Sequence, residues 1–239
     1  MSGGAYSALS GMQTRLGELD RLASDLANIN TAGYKTERDA KYAAERDLFT
    51  AALDSAVDVG TAGSRIDFRA GAMSTTGRDL DVAIEGKGFF TIDTPAGPRY
   101  TRNGAFTRMS DGTLATMEGQ AVLGEGGSPI TLTPGPISIS QDGTIRSGAT
   151  VAGRLQVVEF ADGELERESG SRFRAIPSAS PQEATGRVIG GSLEQSNVSV
   201  VDRMVALTEI NRGYEGLQRG VSVLMNDIDG RAISELGRK

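Results

Sequence analysis

The 239-residue chain contains no cysteine, no histidine and no tryptophan. Without the first two, disulfides, thiol nucleophiles, Cys/His zinc sites and imidazole general bases are all excluded. Carboxylates, lysines, tyrosines and hydroxyls remain, a thin inventory for an enzyme, and no cofactor is expected. Aromatics make up only 5% of the residues, so any core is modest. No apolar run approaches the length that spans a bilayer. Positive charge is also scarce: the net charge is −6, with no basic stripe to hold phosphate backbones or anionic lipid. Neither nucleic acid nor direct membrane insertion is therefore expected. The first residues lack the basic start and continuous apolar core of a secretory signal, so conventional secretion is not indicated. What the chain has in abundance is glycine, 32 residues, which points to many turns and close backbone approaches.

Near the N-terminus, Leu9, Met12, Leu16, Leu19, Ala23 and Leu26 recur at alternating spacings of three and four. This is a heptad seam, widened by Leu22 and Ile29, with Arg15, Glu18, Asp20, Arg21 and Asp25 on the other faces. Asn28, Asn30 and Gly33 supply its stop. Toward the C-terminus Leu207, Ile210, Tyr214, Leu217, Val221, Leu224 and Ile228 repeat the pattern. Ser199 and Asp202 read as a capping box, and Glu215 with Arg219 as an i,i+4 pair. Gly213, Gly216 and Gly220 interrupt this helix at about 1 kcal/mol each relative to alanine. One amphipathic helix is ordinarily explained by an intramolecular core. Two at opposite ends, one weakened by glycine, favour packing completed by other subunits. From residue 198 onward six acids meet six bases, a balance that suits helix partners better than a membrane surface.

Between the stripes the texture changes. Residues 35–76 are polar and alanine-rich and read as an extended connector, in which Tyr42, Leu48, Phe49 and Leu53 could support a short helix or docking contact. Short apolar runs at 80–84, 89–92, 137–139 and 155–160 then read as strands. Asn103-Gly104, Asp111-Gly112, Asp142-Gly143 and Asp162-Gly163 punctuate them as hairpin signals. The expected fold class is α+β: long terminal helices forming a discontinuous helical domain, a connector, and a central all-β, barrel-like domain. The expected boundaries are 1–34, 35–76, 77–187 and 188–239.

Candidate chemistry is sparse. The glycine clusters at 86–88 and 124–127 precede no helical pattern and complete no phosphate-binding fingerprint, so they read as turns. Alternation with Leu80 and Val82 puts Asp79 and Asp81 together on the wet face of a strand, a weak basis for a carboxylate-dependent hydrolase. Asp142-Gly143-Thr144 lacks the further carboxylates of a calcium loop. Arg99, Arg102 and Arg108 read as surface pairing groups rather than a nucleic-acid platform.

Four blocks in order resemble the axial proteins of the bacterial flagellum, those of rod and hook. Asn28, Thr31, Gly33 and Tyr34 match the family's Asn-x-x-Thr-x-Gly-aromatic pattern at the end of the first helix. Residues 76–90 are similar to the entry into its β domain, 100–106 and 111–114 continue the likeness, and 191–204 resemble its C-terminal block. Residues 121–130 look most like the proximal part of the rod, with the distal rod as the close alternative. The lack of large insertions after the β-domain entry argues against the hook. The resemblance implies a structural subunit, not an enzyme, placed in the basal-body rod and exported through the flagellar type III apparatus without a cleavable signal. Its implied partners are itself and neighbouring rod subunits. A stand-alone binding or adhesion module is the alternative from another class. The residues assigned to assembly are Leu9, Met12, Leu16, Leu19, Leu26, Asn28, Thr31, Gly33 and Tyr34, and, in the last helix, Leu207, Ile210, Tyr214, Leu217, Val221, Leu224 and Ile228.

Overall fold

Glycine-rich turns and short apolar runs cut the middle of the chain into brief strands. In the computed structural model, which describes residues 2–39 and 64–236, helix α1 (Ser2–Ala27) is followed by seventeen strands and then helix α2 (Val200–Leu236). Tyr42, Leu48, Phe49 and Leu53 lie outside the described residues.

The chain divides into two compact units. One holds residues 1–27, 37–65 and 199–239, the other 28–36 and 66–198. The second unit carries the apolar core. Strands β4 (Val82–Glu85) and β5 (Phe89–Ile92) are buried at nearly every position, so both faces of each are covered. That is why they read as continuous apolar runs and not as alternation. Val82, Ile84, Phe90, Ile92, Phe106, Leu114, Val122 and Leu155 pack into one cluster, with Phe90 and Phe106 edge-on at 5.2 Å. A second cluster gathers Phe89, Tyr100, Leu165 and Phe173, with Phe68 and Phe160 against it. Burying each such side chain contributes about 1.5–3 kcal/mol.

The largest sheet has six strands, β13-β14-β6-β5-β12-β15 (Leu165–Ser169, Arg172–Ala175, Arg99–Thr101, then β5, Val157–Glu159 and Gln182–Glu183). A three-stranded sheet joins β11, β10 and β9 (Thr150–Arg154, Thr144–Ser147, Ile137–Ile139). The others are pairs: β1 (Glu37–Asp39) with β2 (Ser64–Ile66), β17 (Ser192–Glu194) with β3 (Met73–Thr75), β16 (Arg187–Gly190) with β4, and β7 (Phe106–Arg108) with β8 (Leu114–Thr116).

The α+β expectation is corrected by this architecture. The described residues form a mainly β protein with one helix near each end. The apolar core is built by strands, and no sheet closes into a barrel. The residues of the supposed extended connector that are described contain β1, β2 and β3, and the unit holding both helices also holds β1 and the first two residues of β2. Heptad spacing overweighted the ends, because strands of two to five residues leave little periodicity to detect.

The turn signals divide into two kinds. Asp111-Gly112 and Asp142-Gly143 close hairpins between paired neighbours, β7–β8 and β9–β10. Gly112 and Gly143 take φ of 90° and 83°, and Asp111 and Asp142 each accept a hydrogen bond from the amide two residues on. Asn103-Gly104 and Asp162-Gly163 instead carry the chain between strands that do not pair with each other.

Candidate assembly site

Helix α1 stops where its sequence predicts, and the mechanism is visible atom by atom. The Thr31 amide donates to Asn28 O at 3.0 Å, the Thr31 hydroxyl to Asn28 Oδ1 at 3.1 Å, and the Tyr34 amide to Thr31 O at 3.2 Å. Two successive turns follow, and Gly33 at φ 68° completes the reversal. A Cβ on Gly33 would stand 2.2 Å from the Arg102 carbonyl carbon, so only glycine fits. Tyr34 is fully buried, with the Arg167 guanidinium 4.6 Å from its ring centre.

Helix α2 begins on Ser199, whose hydroxyl accepts from the Asp202 amide at 3.4 Å. Within their unit, α1 and α2 pack on each other. The face that α1 buries is not the apolar seam. Among its described side chains the buried ones are Glu18, Leu22 and Asp25, spaced four and three apart, and Asp25 pairs with Arg203 at 3.4 Å. The Glu18 carboxylate meets Arg15 at 2.7 Å. Met12, Leu19 and Leu26 are half-buried and Leu16 is 47% exposed. On α2, Ile210 is buried while Leu207 and Tyr214 are half-buried. The side chains of Leu9, Leu217, Val221, Leu224 and Ile228 lie outside the described residues.

A cleft of about 510 Å3 lies in the same unit, floored by Leu22 and Ile210. Arg15, Arg21, Arg38 and Arg203 line it together with Glu18, Glu37, Asp202 and Glu209. Such matched charges give no net field for a polyanion. Val200, Val201, Met204 and Val205 form a second exposed apolar stretch at the start of α2, on positions that the heptad pattern does not include. Among the described residues no helix is long and apolar enough to cross a membrane.

The turn after α1 is held in the β unit by a buried polar cluster that sequence spacing could not announce. Lys35 and Glu194, both fully buried, form an ion pair across 159 residues of chain. Arg102 donates to the other Glu194 oxygen at 3.2 Å and to the carbonyls of Ile84 and Gly86. Desolvation pushes the Lys35 ammonium and the Arg102 guanidinium below their ordinary pKa values, and Glu194 opposes both shifts. Asn197 bridges the arms beside it. Its Oδ1 accepts from the Thr36 amide and its Nδ2 donates to Asp67 O, both at 2.8 Å. Thus Arg102, expected on the surface, is buried. Arg99 is buried as well, paired with Glu168 at 2.8 Å, and only Arg108 is exposed. Asp79 and Asp81 do not share a wet face. Asp79 is exposed, whereas Asp81 is buried with Arg78 at 3.5 Å, because the strand begins only at Val82.

Two family models match parts of the chain. A family model described as the flagellar hook protein FlgE/F/G D1 domain matches residues 83–147. Another, the flagellar basal body rod FlgEFG protein C-terminal, matches residues 189–226. The flagellar basal-body rod protein FlgF of Caulobacter vibrioides is 36% identical over 229 residues, covering 92% of each chain. FlgF of Rhizobium meliloti is 33% identical over 249 residues, covering 99% of each. The rod protein FlgG of Bacillus subtilis is 32% identical, covering 88% of this chain and 90% of its own. The chain belongs to the family of flagellar basal-body rod proteins, structural components of the basal body.

Proposed function

We propose that this chain builds the proximal part of the rod, polymerising with itself and with neighbouring rod proteins through its terminal helices. The observation that carries this reading is the mismatch on α1. Its covered face is Glu18, Leu22 and Asp25, while the seam through Met12, Leu16, Leu19 and Leu26 is left partly or largely open. An apolar stripe turned away from its own chain needs another chain to cover it. Each large side chain so covered adds about 1.5–3 kcal/mol to association. The interface residues are the two stripes, Leu9, Met12, Leu16, Leu19 and Leu26 on α1 and Leu207, Ile210, Tyr214, Leu217, Val221, Leu224 and Ile228 on α2. Asn28, Thr31, Gly33 and Tyr34 serve the same end by fixing where α1 stops. The functional division follows the boundaries 1–34, 35–76, 77–187 and 188–239.

The role is non-catalytic. Asp79 and Asp81, the pair a hydrolase would need, do not converge. Passage through the flagellar type III export apparatus fits a chain with no cysteine, which can be threaded unfolded with no disulfide to break. Relatives named FlgF and FlgG both align. The likeness of residues 121–130 favours the proximal position.

Leu16→Ser tests the assembly reading. The expected result is an unchanged monomer melt, within about 0.5 kcal/mol as for an exposed site, together with loss of polymer in sedimentation. Normal polymerisation of Leu16→Ser would contradict it. Deleting the gene and imaging purified basal bodies tests the position. A rod truncated at its inner part is expected, and intact rods would refute the assignment.

A further inference from the structure

The buried cluster at Lys35, Arg102 and Glu194 has a composition that packing alone does not explain. Two cations and one carboxylate are shut away from water, and they come from three segments far apart in the chain. Lys35 sits on the arm formed by residues 28–36. Arg102 follows β6 and anchors itself on the carbonyls of Ile84 and Gly86, independently of the arm. Glu194 closes β17 and accepts from Lys35, from Arg102 and, at 3.0 Å, from the Gly71 amide. Remove Glu194 from this list and the arm would have to bring an ammonium, desolvated, beside a guanidinium already in place. Burial and Arg102 both act against the charged lysine there, and Glu194 acts for it.

We infer that Glu194 is the closing element of a latch: the arm 28–36 can dock on the β body only once the C-terminal segment 191–197 has docked. The electrostatics make the two events conditional on each other. With β17 absent, the slot is a cation-repelling hole. With β17 in place, the same slot gives the lysine a carboxylate beside the Arg69 carbonyl at 2.8 Å, and the Gly33 amide donates to Glu194 O at 2.7 Å. Asn197 then seals the join, its amide donating to Tyr34 O at 3.3 Å and its Oδ1 accepting from the Thr36 amide at 2.8 Å. Because α1 precedes the arm and α2 follows the C-terminal segment, the roots of the two terminal helices become ordered in one step, late in folding, when nearly the whole chain is present. The inference stands on the fold of the β unit and not on how the helices assemble.

The test compares Glu194→Gln with the double variant Lys35→Met, Glu194→Gln in the full chain. Hydrogen exchange is read at the Gly33 and Thr36 amides, with Thr91 and Leu114 as core references. Glutamine keeps the shape of Glu194 and one acceptor oxygen but removes the charge and the second acceptor. The expected result for the single variant is a loss of protection of fivefold or more at Gly33 and Thr36, with the references unchanged. Adding Lys35→Met removes the opposed cation and recovers most of that protection. A loss under fivefold in the single variant, or no recovery in the double, would overturn the latch. Should Glu194→Gln fail to fold, the double variant decides: a folded double variant with a protected arm supports the latch, and an unfolded one contradicts it.

Discussion

The two compact units obey different economies of packing. In the unit of residues 28–36 and 66–198, two apolar clusters bury phenylalanines, leucines, isoleucines and valines from most of the strands. In the unit that holds the helices, the buried apolar side chains among the described residues are Leu22 and Ile210, and charged Glu18 and Asp25 lie buried beside them. A β body that closes on itself can be stable alone. A helix pair that covers charged residues and leaves apolar ones uncovered has kept its best adhesive surface for something else. In the proposed reading, the first unit of this rod subunit is the scaffold and the second is the connector between molecules.

Truncating the core should break the comparison most visibly. Phe106→Ala, fully buried and edge-on to Phe90, is expected to cost about 3–5 kcal/mol. Leu22→Ala should cost about 2 kcal/mol, the low end for a buried leucine, because the open cleft beside it lets the site relax. Urea melts of the two variants check this, and equal losses would erase the contrast. Glycine substitutions should then show opposite signs in the two units. Gly33→Ala forces a Cβ into the Arg102 backbone at φ 68° and is expected to lose on the order of 2 kcal/mol or more. Gly216→Ala meets nothing within 4 Å and should strengthen α2 by about 1 kcal/mol, read as added helical circular dichroism. A destabilised α2 would mean that the glycine is required within the monomer.

The smallest effect is with pH, and it belongs to the β body alone. Amides and hydroxyls of Thr113 and Thr144 hold the exposed Asp111 and Asp142 carboxylates below the ordinary value of 3.8. Their folded pKa values are depressed, so their contribution is complete above the ordinary carboxylate range and is lost as pH falls through the folded values. Tips of β7–β8 and β9–β10 should therefore exchange faster below about pH 4. Asp111→Asn and Asp142→Asn should remove that dependence.

Local chemistry was legible in the sequence, and distant pairing was not. The stop at Asn28, Thr31 and Gly33, the cap at Ser199, and the two Asp-Gly-Thr hairpins each depend on residues within five positions of one another. Lys35 and Glu194 meet across most of the chain, so nothing in the neighbourhood of either reveals the other. The same limit hid the pairing of β14 with β6 and the burial of Arg99 and Arg102. Heptad spacing identified a true apolar seam on α1 but was silent on direction. The face that meets α2 is the one carrying Leu22 and Asp25, because Arg203 of α2 pairs with Asp25.

Hydrogen exchange of α1 and α2, in the dilute monomer and again in the polymer, tests the central claim most directly. If other subunits complete the helical surface, amides of residues 11–27 and 200–216 exchange about a hundredfold faster than those of β4 and β5 in the monomer, and become protected on assembly. Full protection of both helices at high dilution, unchanged by polymerisation, would contradict the account.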